Sequence, residues 1–296
     1  MAKNDHCIFI LSNGRPDRVF TYECFKRCGD TANVFIVVDD QDKTADDYRK
    51  KFGSEKVIQF CKSDIHKIID TGDNFPGMGS TIYPRKAFWD IAKKLGFHYF
   101  VQLDDDYTAF QYYFDSKGNH RYRLAHKTLR KMISVMFDYF KDIPAKTLAM
   151  AQGGDFIGGA KEGLKPRLCR LRRKAMNVFL CDTERPWDMY GRRNEDVTAY
   201  VLGNLRGELF FTVMQAKITQ VQSQRNPGLI TADYLESGTY VKSFYSVMYA
   251  PSCVQIGVMG DHRSGSYRIH HKINWHNTAP KILREEWKKA DHAAQA

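Results

Sequence analysis

Three consecutive aspartates, Asp104, Asp105 and Asp106, directly follow the strand-like run 99–103. Like charges at one point repel each other and are poor strand formers, so the segment predicts a compensating positive charge. A hard divalent cation with oxygen ligands fits, and Mg²⁺ or Mn²⁺ fits better than Zn²⁺. Because residues two apart in an extended chain face the same side, Asp104 and Asp106 are the predicted metal ligands. A strand-end turn with solvated acids is the alternative interpretation.

A second acidic pair, Asp39 and Asp40, closes another strand-like run, 33–38. The pair suits hydrogen bonds to a nucleobase imide or to ribose hydroxyls, although an acidic turn fits the same residues. A third pair, Glu195 and Asp196, follows Asn194 at a predicted helix start. Helix capping is the ordinary role of such acids, and a general base that accepts a proton from an acceptor hydroxyl is the functional one.

Two glycine-rich segments and one histidine-rich segment complete the candidate chemistry. The loop 77–81 leads into a helix that carries Arg85, and its backbone N–H groups could face phosphate, although it lacks the order of a P-loop. The segment 152–159 permits a close backbone approach to a ligand, with a flexible turn as the alternative. In the segment 261–272, a late histidine could complete a metal shell while its Arg and Lys residues bind diphosphate.

These groups need elements that bring them together, and the first hundred residues alternate between strand-like and helix-like runs. The predicted strands are 7–11, 33–38, 57–60 and 99–103, and the predicted helices include 18–27, 48–52 and 83–95. Continuous apolar strands in this alternation predict an α/β fold with a Rossmann-like, mainly parallel sheet. Ligands bind beyond the carboxyl ends of such strands, and three polar clusters fall there. They are the loop 12–17, the pair Asp39-Asp40 and the triplet Asp104–Asp106.

The rest of the chain is predicted to contain a hairpin at 110–114 and 121–124, then a helix that ends at Ile143, then a looser, glycine- and arginine-rich region from residue 150 onward. No internal repeat or low-complexity linker divides the sequence. We therefore expect one domain over residues 1–296 with two functional halves, 1–107 and 108–296.

Composition is that of a globular protein of 296 residues with a net charge of +11. Clustered basic residues suit a polyanion such as nucleic acid, whereas a solvated face is the alternative. The densest cluster contains Arg167, Arg170, Arg172, Arg173 and Lys174. No run has the length of a signal h-region or a membrane span, so a cytoplasmic location is expected. Seven scattered cysteines predict reduced thiols.

Taken in order, these motifs resemble a GT-A nucleotide-sugar glycosyltransferase. The resemblance implies a single GT-A-like domain, in which 1–107 binds the nucleotide sugar and 108–296 binds the acceptor. It implies that Asp104 and Asp106, with His270, hold Mn²⁺ or Mg²⁺ on the donor diphosphate, and that Asp39 or Asp40 reads the base, commonly uracil. The residues expected around the donor are Ser12, Asn13, Arg15, Asp39, Asp40, Arg85, Asp104, Asp105, His271 and Lys272. Asp196, with Glu195 beside it, would be the base of an inverting mechanism.

The tail 267–275 is similar to phage glycosyltransferases of the TET-associated type, which are thought to decorate hydroxymethylated pyrimidines in viral DNA. The resemblance implies transfer from a UDP-sugar to 5-hydroxymethylcytosine in phage DNA. The basic cluster 167–174 would then clamp DNA phosphates, and Trp187 with Tyr190 would form an aromatic pocket for a swung-out base. Glu195-Asp196 lacks the downstream arginine pattern of many cell-wall GT-A enzymes, which leaves the base assignment open. A glycan, protein or lipid acceptor is one alternative, and a non-catalytic DNA-binding protein is another.

Overall fold

The computed structural model describes residues 5–114, 120–152, 169–170, 172–176, 178–221, 240–261 and 266–280. The strands of these ranges are β1 (His6–Leu11), β2 (Val34–Asp39), β3 (Val57–Phe60), β4 (Tyr99–Asp104), β5 (Tyr107–Phe114), β6 (His120–Leu124), β7 (Thr147–Ala151), β8 (Cys169–Arg170), β9 (Phe179–Asp182), β10 (Phe210–Gln220), β11 (Val254–Asp261) and β12 (Ser266–Ile273). The helices are α1 (Phe20–Cys28), α2 (Ala45–Phe52), α3 (Lys62–His66), α4 (Ile82–Lys94), α5 (Leu129–Lys141), α6 (Glu195–Leu205), α7 (Tyr240–Tyr249) and α8 (Trp275–Thr278).

One large sheet, in the order β3-β2-β1-β4-β9-β7-β10-β5-β6, forms the centre of the molecule. Its first four strands are parallel to one another. Beyond them β9 runs antiparallel to both β4 and β7, and β10 is parallel to β7 but antiparallel to β5. The predicted α/β class and the parallel arrangement of the N-terminal strands are confirmed. Strands from both predicted halves of the chain share this sheet.

Both faces of the sheet are buried, which explains why its strands read as continuous apolar runs. On β1, Ile8 and Ile10 contribute to the core on one face, whereas Cys7 and Phe9 contribute to the core on the other. Helices α1, α2 and α5 cover the first face, and α3, α4 and α6 cover the second. The alternation places every second side chain on the same side, as the pleat of a strand requires.

The parallel register brings the polar strand ends to one edge. Leu11, the last residue of β1, pairs with Val37 on one side and with Asp104 on the other. The loop that starts at Ser12 therefore lies between the end of β2 and the end of β4. The prediction that these polar clusters share one edge is confirmed, and this edge is called the carboxyl edge below.

Several elements after residue 150 were not predicted. Strand β9 inserts between β4 and β7, and α7 packs against a separate two-stranded ribbon formed by β11 and β12. Short strands such as β9 carry little periodicity of their own, because their conformation is set by neighbours distant in sequence. Within the described ranges, no helix has the length and apolar character that a membrane span requires.

Candidate active site

The aspartate triplet forms a tight link between two strands. β4 ends at Asp104, Asp105 and Asp106 form a turn, and β5 starts at Tyr107. Thr21, a buried residue of α1, fixes this turn from both sides: its hydroxyl donates to the Asp104 carbonyl at 2.6 Å and accepts from the Tyr107 N–H at 3.0 Å. Its own N–H donates to the Asp105 carbonyl at 3.1 Å. The backbone that presents the carboxylates is therefore held by a helix of the core.

Asp105 turns away from solvent and is fully buried. Arg15 donates to it twice, from Nε at 2.7 Å and from Nη2 at 2.8 Å, and the Ser12 hydroxyl donates at 2.5 Å. Burial raises the pKa of Asp105 although Arg15 and Ser12 favour its charged form. Asp105, Arg15 and Ser12, all predicted at the donor, thus bind one another and tie the loop after β1 to the triplet.

Asp104 and Asp106 remain as the two outward carboxylates of the turn. Arg85 Nη2 donates to Asp104 Oδ1 at 2.6 Å, whereas Asp106 Oδ1 is buried and has no hydrogen-bond partner among the described residues. Burial, followed by the charges of Asp104 and Asp105, raises the pKa of Asp106 to about 7. Burial also raises the pKa of Asp104, against the opposing effect of Arg85. This pair has more negative charge than its surroundings neutralise, and an orphaned buried oxygen fits a cation ligand.

The residues present fit a divalent ion that takes only part of its shell from protein. In the described part of the chain, no three His, Cys, Asp or Glu side chains are grouped closely enough to hold a metal. His270, predicted as a third ligand, is therefore not gathered with Asp104 and Asp106. Mg²⁺ is commonly held by one or two carboxylates together with substrate phosphates and water, which is the donor set that these two aspartates offer.

Arg85 links the triplet to the predicted catalytic acids. Its side chain is buried, with 2% exposed, and lies 2.6 Å from Asp104 and 3.5 Å from Glu195. Burial opposes the charge of Arg85, but the surrounding carboxylates outweigh it and raise its pKa. The guanidinium, which was predicted to face donor phosphate, is thus used between two carboxylates.

The acid pair stands at the start of α6, directly after a strained residue. Asn194 is buried in the left-handed region at φ 55° and ψ 32°, a conformation that Asn tolerates better than most residues. Glu195 accepts a hydrogen bond from Thr81, and Asp196 Oδ1 accepts from the Val197 N–H at 2.9 Å. Glu195 is occupied by Thr81 and Arg85, so Asp196 is the acid with fewer side-chain contacts.

Asp39 and Asp40 differ in exposure although they are neighbours. Asp39 is buried and accepts from Asn13 Nδ2 at 3.0 Å and from Lys62 Nζ at 2.9 Å. Asp40 is exposed, and its Oδ1 accepts from the Lys62 N–H at 2.9 Å. Lys62 was missed by sequence reasoning, since an isolated lysine after β3 carries no motif. Of the two acids, Asp40 is the one that presents its side chain at the surface.

Two arginines that sequence reasoning missed tie the glycine-rich loop 77–81 to the acid pair. Arg192 binds Asp73 through Nε at 2.9 Å and Nη2 at 2.8 Å, and it donates to the carbonyl of Gly77. Arg193 donates to the Gly79 carbonyl at 2.6 Å. The predicted phosphate loop is thereby fixed through its carbonyls to the segment just before Asn194. These arginines stand in a segment that reads only as a loop, so no local signal indicates them.

The ribbon brings His271 to the same place. Asn194 Nδ2 lies 3.2 Å from His271 Nδ1, and the His270 and His271 rings are 4.1 Å apart. Burial, followed by the charges of His270, Lys242 and Lys174, lowers the pKa of His271 to about 3. His271 is therefore neutral, and its Nδ1 accepts the hydrogen bond from Asn194. The charges that act on His271 thus come from three separate segments, which are β12, α7 and the stretch before β9.

The remaining predicted residues are Lys272, expected at the donor, and the basic and glycine-rich segments expected at the acceptor. Lys272 and Arg172 are exposed, and Arg173 and Lys174 are half-buried. Arg167 and the segment 153–159 lie outside the described residues, and only the backbone of Arg170 is described, in β8.

The expected aromatic pocket is corrected by the structure. Trp187 is 4% exposed and packs against Trp89, Phe179 and Phe210. It is a core residue, because three aromatic neighbours enclose its ring, and it cannot stack on a swung-out base. Tyr190 is half-buried, and its hydroxyl accepts from Arg206 at 3.1 Å.

Solved structures with similar folds include a mycobacterial protein at 12% identity and a TM-score of 0.47, covering 90% of this chain and 83% of that one. Glucosyl-3-phosphoglycerate synthase from Mycobacterium tuberculosis, in complex with Mn²⁺, UDP and phosphoglyceric acid, matches at 10% identity and a TM-score of 0.47, covering 90% of this chain and 86% of that one. The same enzyme with Mn²⁺ and UDP-glucose matches at 10% identity and a TM-score of 0.46, with coverage of 94% and 88%. No curated protein matches the chain.

A family model described as TET-associated glycosyltransferase matches residues 6–228. The match covers the whole carboxyl edge, with the aspartate triplet, Arg85 and the acid pair. The chain belongs to the TET-associated glycosyltransferase family.

Proposed function

We propose that this glycosyltransferase moves a sugar from a UDP-sugar to the hydroxymethyl group of a 5-hydroxymethylpyrimidine in DNA, with 5-hydroxymethylcytosine as the expected base. Mn²⁺ or Mg²⁺ is the proposed cofactor. The observation that carries the proposal is the pair Asp104 and Asp106, whose charge is incompletely neutralised. Within the described ranges, the Oδ1 atom of Asp106 is buried without a hydrogen-bond partner. A bound divalent ion would supply positive charge to the departing diphosphate.

The donor would lie along the carboxyl edge. Asp40, exposed at the end of β2, is the proposed contact to the base or ribose, and Asp39 would position it through Asn13 and Lys62. Asp104 and Asp106 would hold the ion from the end of β4. This arrangement follows the general rule that ligands of parallel sheets bind beyond the carboxyl ends of the strands.

Asp196 is the proposed general base. Its carboxylate would accept the proton of the acceptor hydroxyl while the hydroxyl oxygen bonds to the anomeric carbon. The bond from that carbon to the diphosphate oxygen breaks, and the nucleoside diphosphate leaves with the electron pair. Glu195, held by Thr81 and Arg85, would position the start of α6 relative to the metal pair.

The DNA acceptor is supported by two independent features. The family description associates these glycosyltransferases with TET proteins, and the chain has a net charge of +11. Positive charge suits a polyanion, since counterion release drives such binding. A glycan, protein or lipid acceptor is the alternative outcome of the test below.

In the deciding experiment, the protein is incubated with hydroxymethylcytosine DNA, a panel of UDP-sugars and Mn²⁺. The masses of the digested nucleosides are then measured. We expect a mass gain of one sugar that disappears with EDTA and with Asp106→Asn. A mass gain on glycans, proteins or lipids but not on DNA would refute the acceptor and keep the donor chemistry. No transfer from any donor by folded protein would refute the proposal as a whole.

A further inference from the structure

The β11–β12 ribbon has an exposed apolar face. Val258 is 72% exposed, Tyr267 59%, Ile269 41% and Ile256 36%. Monomeric proteins rarely leave several large apolar side chains of one element in water without a binding role. α7, which packs against both strands, adds exposed apolar side chains at helical spacing: Tyr240, Phe244 and Met248.

The register places these side chains on one side of the ribbon. Ile256 pairs with His271, Val258 with Ile269, and Gly260 with Tyr267. Cross-strand partners in an antiparallel ladder point to the same face, so all these side chains share one surface. A Cβ atom on Gly260 would clash with the Tyr267 ring, so the absence of a side chain at Gly260 gives that ring its space.

The same face leads directly into the candidate active site. His271 lies on it and contacts Asn194, the residue before the acid pair. Ile269 and Tyr267 precede His271 by two and four residues in β12, which places them about 7 and 14 Å from His271 along the strand. A ligand long enough to touch both the acid pair and this face would extend well beyond a single nucleotide.

We propose that this face is a DNA-contacting surface, in which Val258, Ile269 and Tyr267 lie against the duplex beside the target base. The proposal rests on the proposed function. A base in a duplex must leave the stack before its hydroxymethyl group reaches Asp196, and apolar side chains inserted at a base step offset the lost stacking. A two-stranded ribbon also fits the major groove, which is about 12 Å wide.

Charge favours DNA over other occupants. Residues 240–280 contain four Lys or Arg residues and one Asp, and Lys272 is exposed on the strand that carries Tyr267. Phosphates on both sides of the base step would meet this charge. A second copy of the chain would instead bring two proteins of net charge +11 together.

The test compares duplex with short single-stranded substrate. Two variants are assayed, the double variant Val258→Ser/Ile269→Ser and the single variant Tyr267→Ala. The substrates are a hydroxymethylcytosine duplex and a hydroxymethylcytosine trinucleotide, whose base is already unstacked. The variants remove side chains that would offset the lost stacking of the target base, so we expect the duplex-to-trinucleotide ratio of kcat/KM to fall about tenfold. Val135→Ser is the matched control. Val135 is 56% exposed on α5, a helix that covers the face of the sheet opposite to the one covered by α6. An unchanged ratio, or an equal fall with the control, would overturn the proposal.

Two further readouts separate this inference from the proposed function. If the wild-type protein transfers no sugar to DNA, DNA binding still tests the inference. Fluorescence anisotropy with a labelled duplex measures the affinity, and equal affinities of the wild type and the double variant would overturn the inference. The fluorescence of a 2-aminopurine next to the target base should increase when the wild type binds, and it should increase less with Tyr267→Ala. Sedimentation velocity tests the competing occupant: a wild-type dimer that the double variant dissociates, with DNA affinity unchanged, would show a self-association surface instead.

Discussion

At the residue scale, the site is defined by which acids have a counter-charge and which do not. Asp105 has Arg15, Asp39 has Lys62, and Glu195 shares Arg85 with Asp104. In the part of the chain that the structure describes, Asp106 Oδ1 is buried and has no hydrogen-bond partner. Buried carboxylates without partners are costly, so this exception indicates a functional position.

Asp106→Asn is expected to raise the stability of the metal-free protein while it lowers the activity. Burial and neighbouring charges raise the pKa of Asp106 to about 7, so the folded protein holds a proton that the unfolded chain has released, and its stability falls as the pH rises towards 7. In EDTA at pH 8, the neutral amide should raise Tm by about 2–4 °C for each kcal/mol of desolvation and repulsion removed, with a smaller rise at pH 5, where only part of this loss of stability has occurred. Differential scanning calorimetry measures this, with the exposed Asp47→Asn as control. A Tm that falls at pH 8 would contradict it.

The same variant is expected to lose activity because it removes half of the proposed metal pair. We expect kcat to fall about 100-fold or more, as for other groups that stabilise developing charge. Sugar transfer assayed over a range of Mn²⁺ concentrations measures the loss, and Asp47→Asn should keep the wild-type rate. Wild-type turnover by Asp106→Asn would exclude Asp106 as a ligand.

Arg85→Ala is expected to destabilise the protein strongly. It leaves Asp104 and Glu195 without their shared buried cation, and breaking such a pair costs about 3–5 kcal/mol. Urea unfolding measures the change in the free energy of unfolding. Arg49→Ala removes a surface ion pair with Asp46, and its expected cost is within about 0.5 kcal/mol. Similar costs for the two variants would contradict the role of Arg85.

At the element scale, loops and helix starts are positioned by long-range contacts. The loop 73–80 is held by Arg192 and Arg193, and the β4–β5 turn is held by Thr21 of α1. The segment before the acid pair, in the second half of the chain, is therefore fixed to a loop of the first half, whereas the aspartate turn is fixed by a helix of the first half.

Arg192→Ala should release the loop 73–80. Its ion pair with Asp73 and its bonds to backbone carbonyls are lost together, so the backbone of the loop should open more often. Hydrogen exchange measured by mass spectrometry should show faster exchange over these residues, and kcat should fall because Asn194 and α6 follow Arg192 directly. The exposed Arg206→Ala is the control. Unchanged exchange in the loop would show that other contacts suffice to hold it.

At the scale of the whole molecule, the net positive charge bears on the proposed binding of DNA as the acceptor. A protein of charge +11 that binds DNA phosphates should lose affinity steeply with salt. Arg172→Ala, at an exposed position, should weaken binding similarly for all sequences and reduce the slope of log K against log salt by about one. Anisotropy titrations between 50 and 200 mM salt, about the range where such slopes are resolved, measure this. Arg49→Ala is the control, and an unchanged slope would remove Arg172 from the DNA surface.

Much of this site was predictable because its signals are local. Continuous apolar runs that alternate with amphipathic helices predicted the parallel strands, and strand ends predicted where Ser12, Asp39 and Asp104 meet. The aromatic pocket at Trp187 was a wrong prediction, since exposure depends on neighbours that come from three other elements. The ribbon was missed because its alternation is interrupted by glycines and histidines.

The sequence by itself determined the α/β class, the shared edge of the acidic strand ends and the excess of positive charge, because each follows from periodicity or composition over a few neighbouring residues. Only the tertiary structure decided which cation neutralises which acid. Arg15 meets Asp105 across 90 residues, and Ser80 meets the Arg192 carbonyl across 112. Such pairings depend on packing between distant segments, and that packing left the buried oxygen of Asp106 without a partner among the residues that the structure describes.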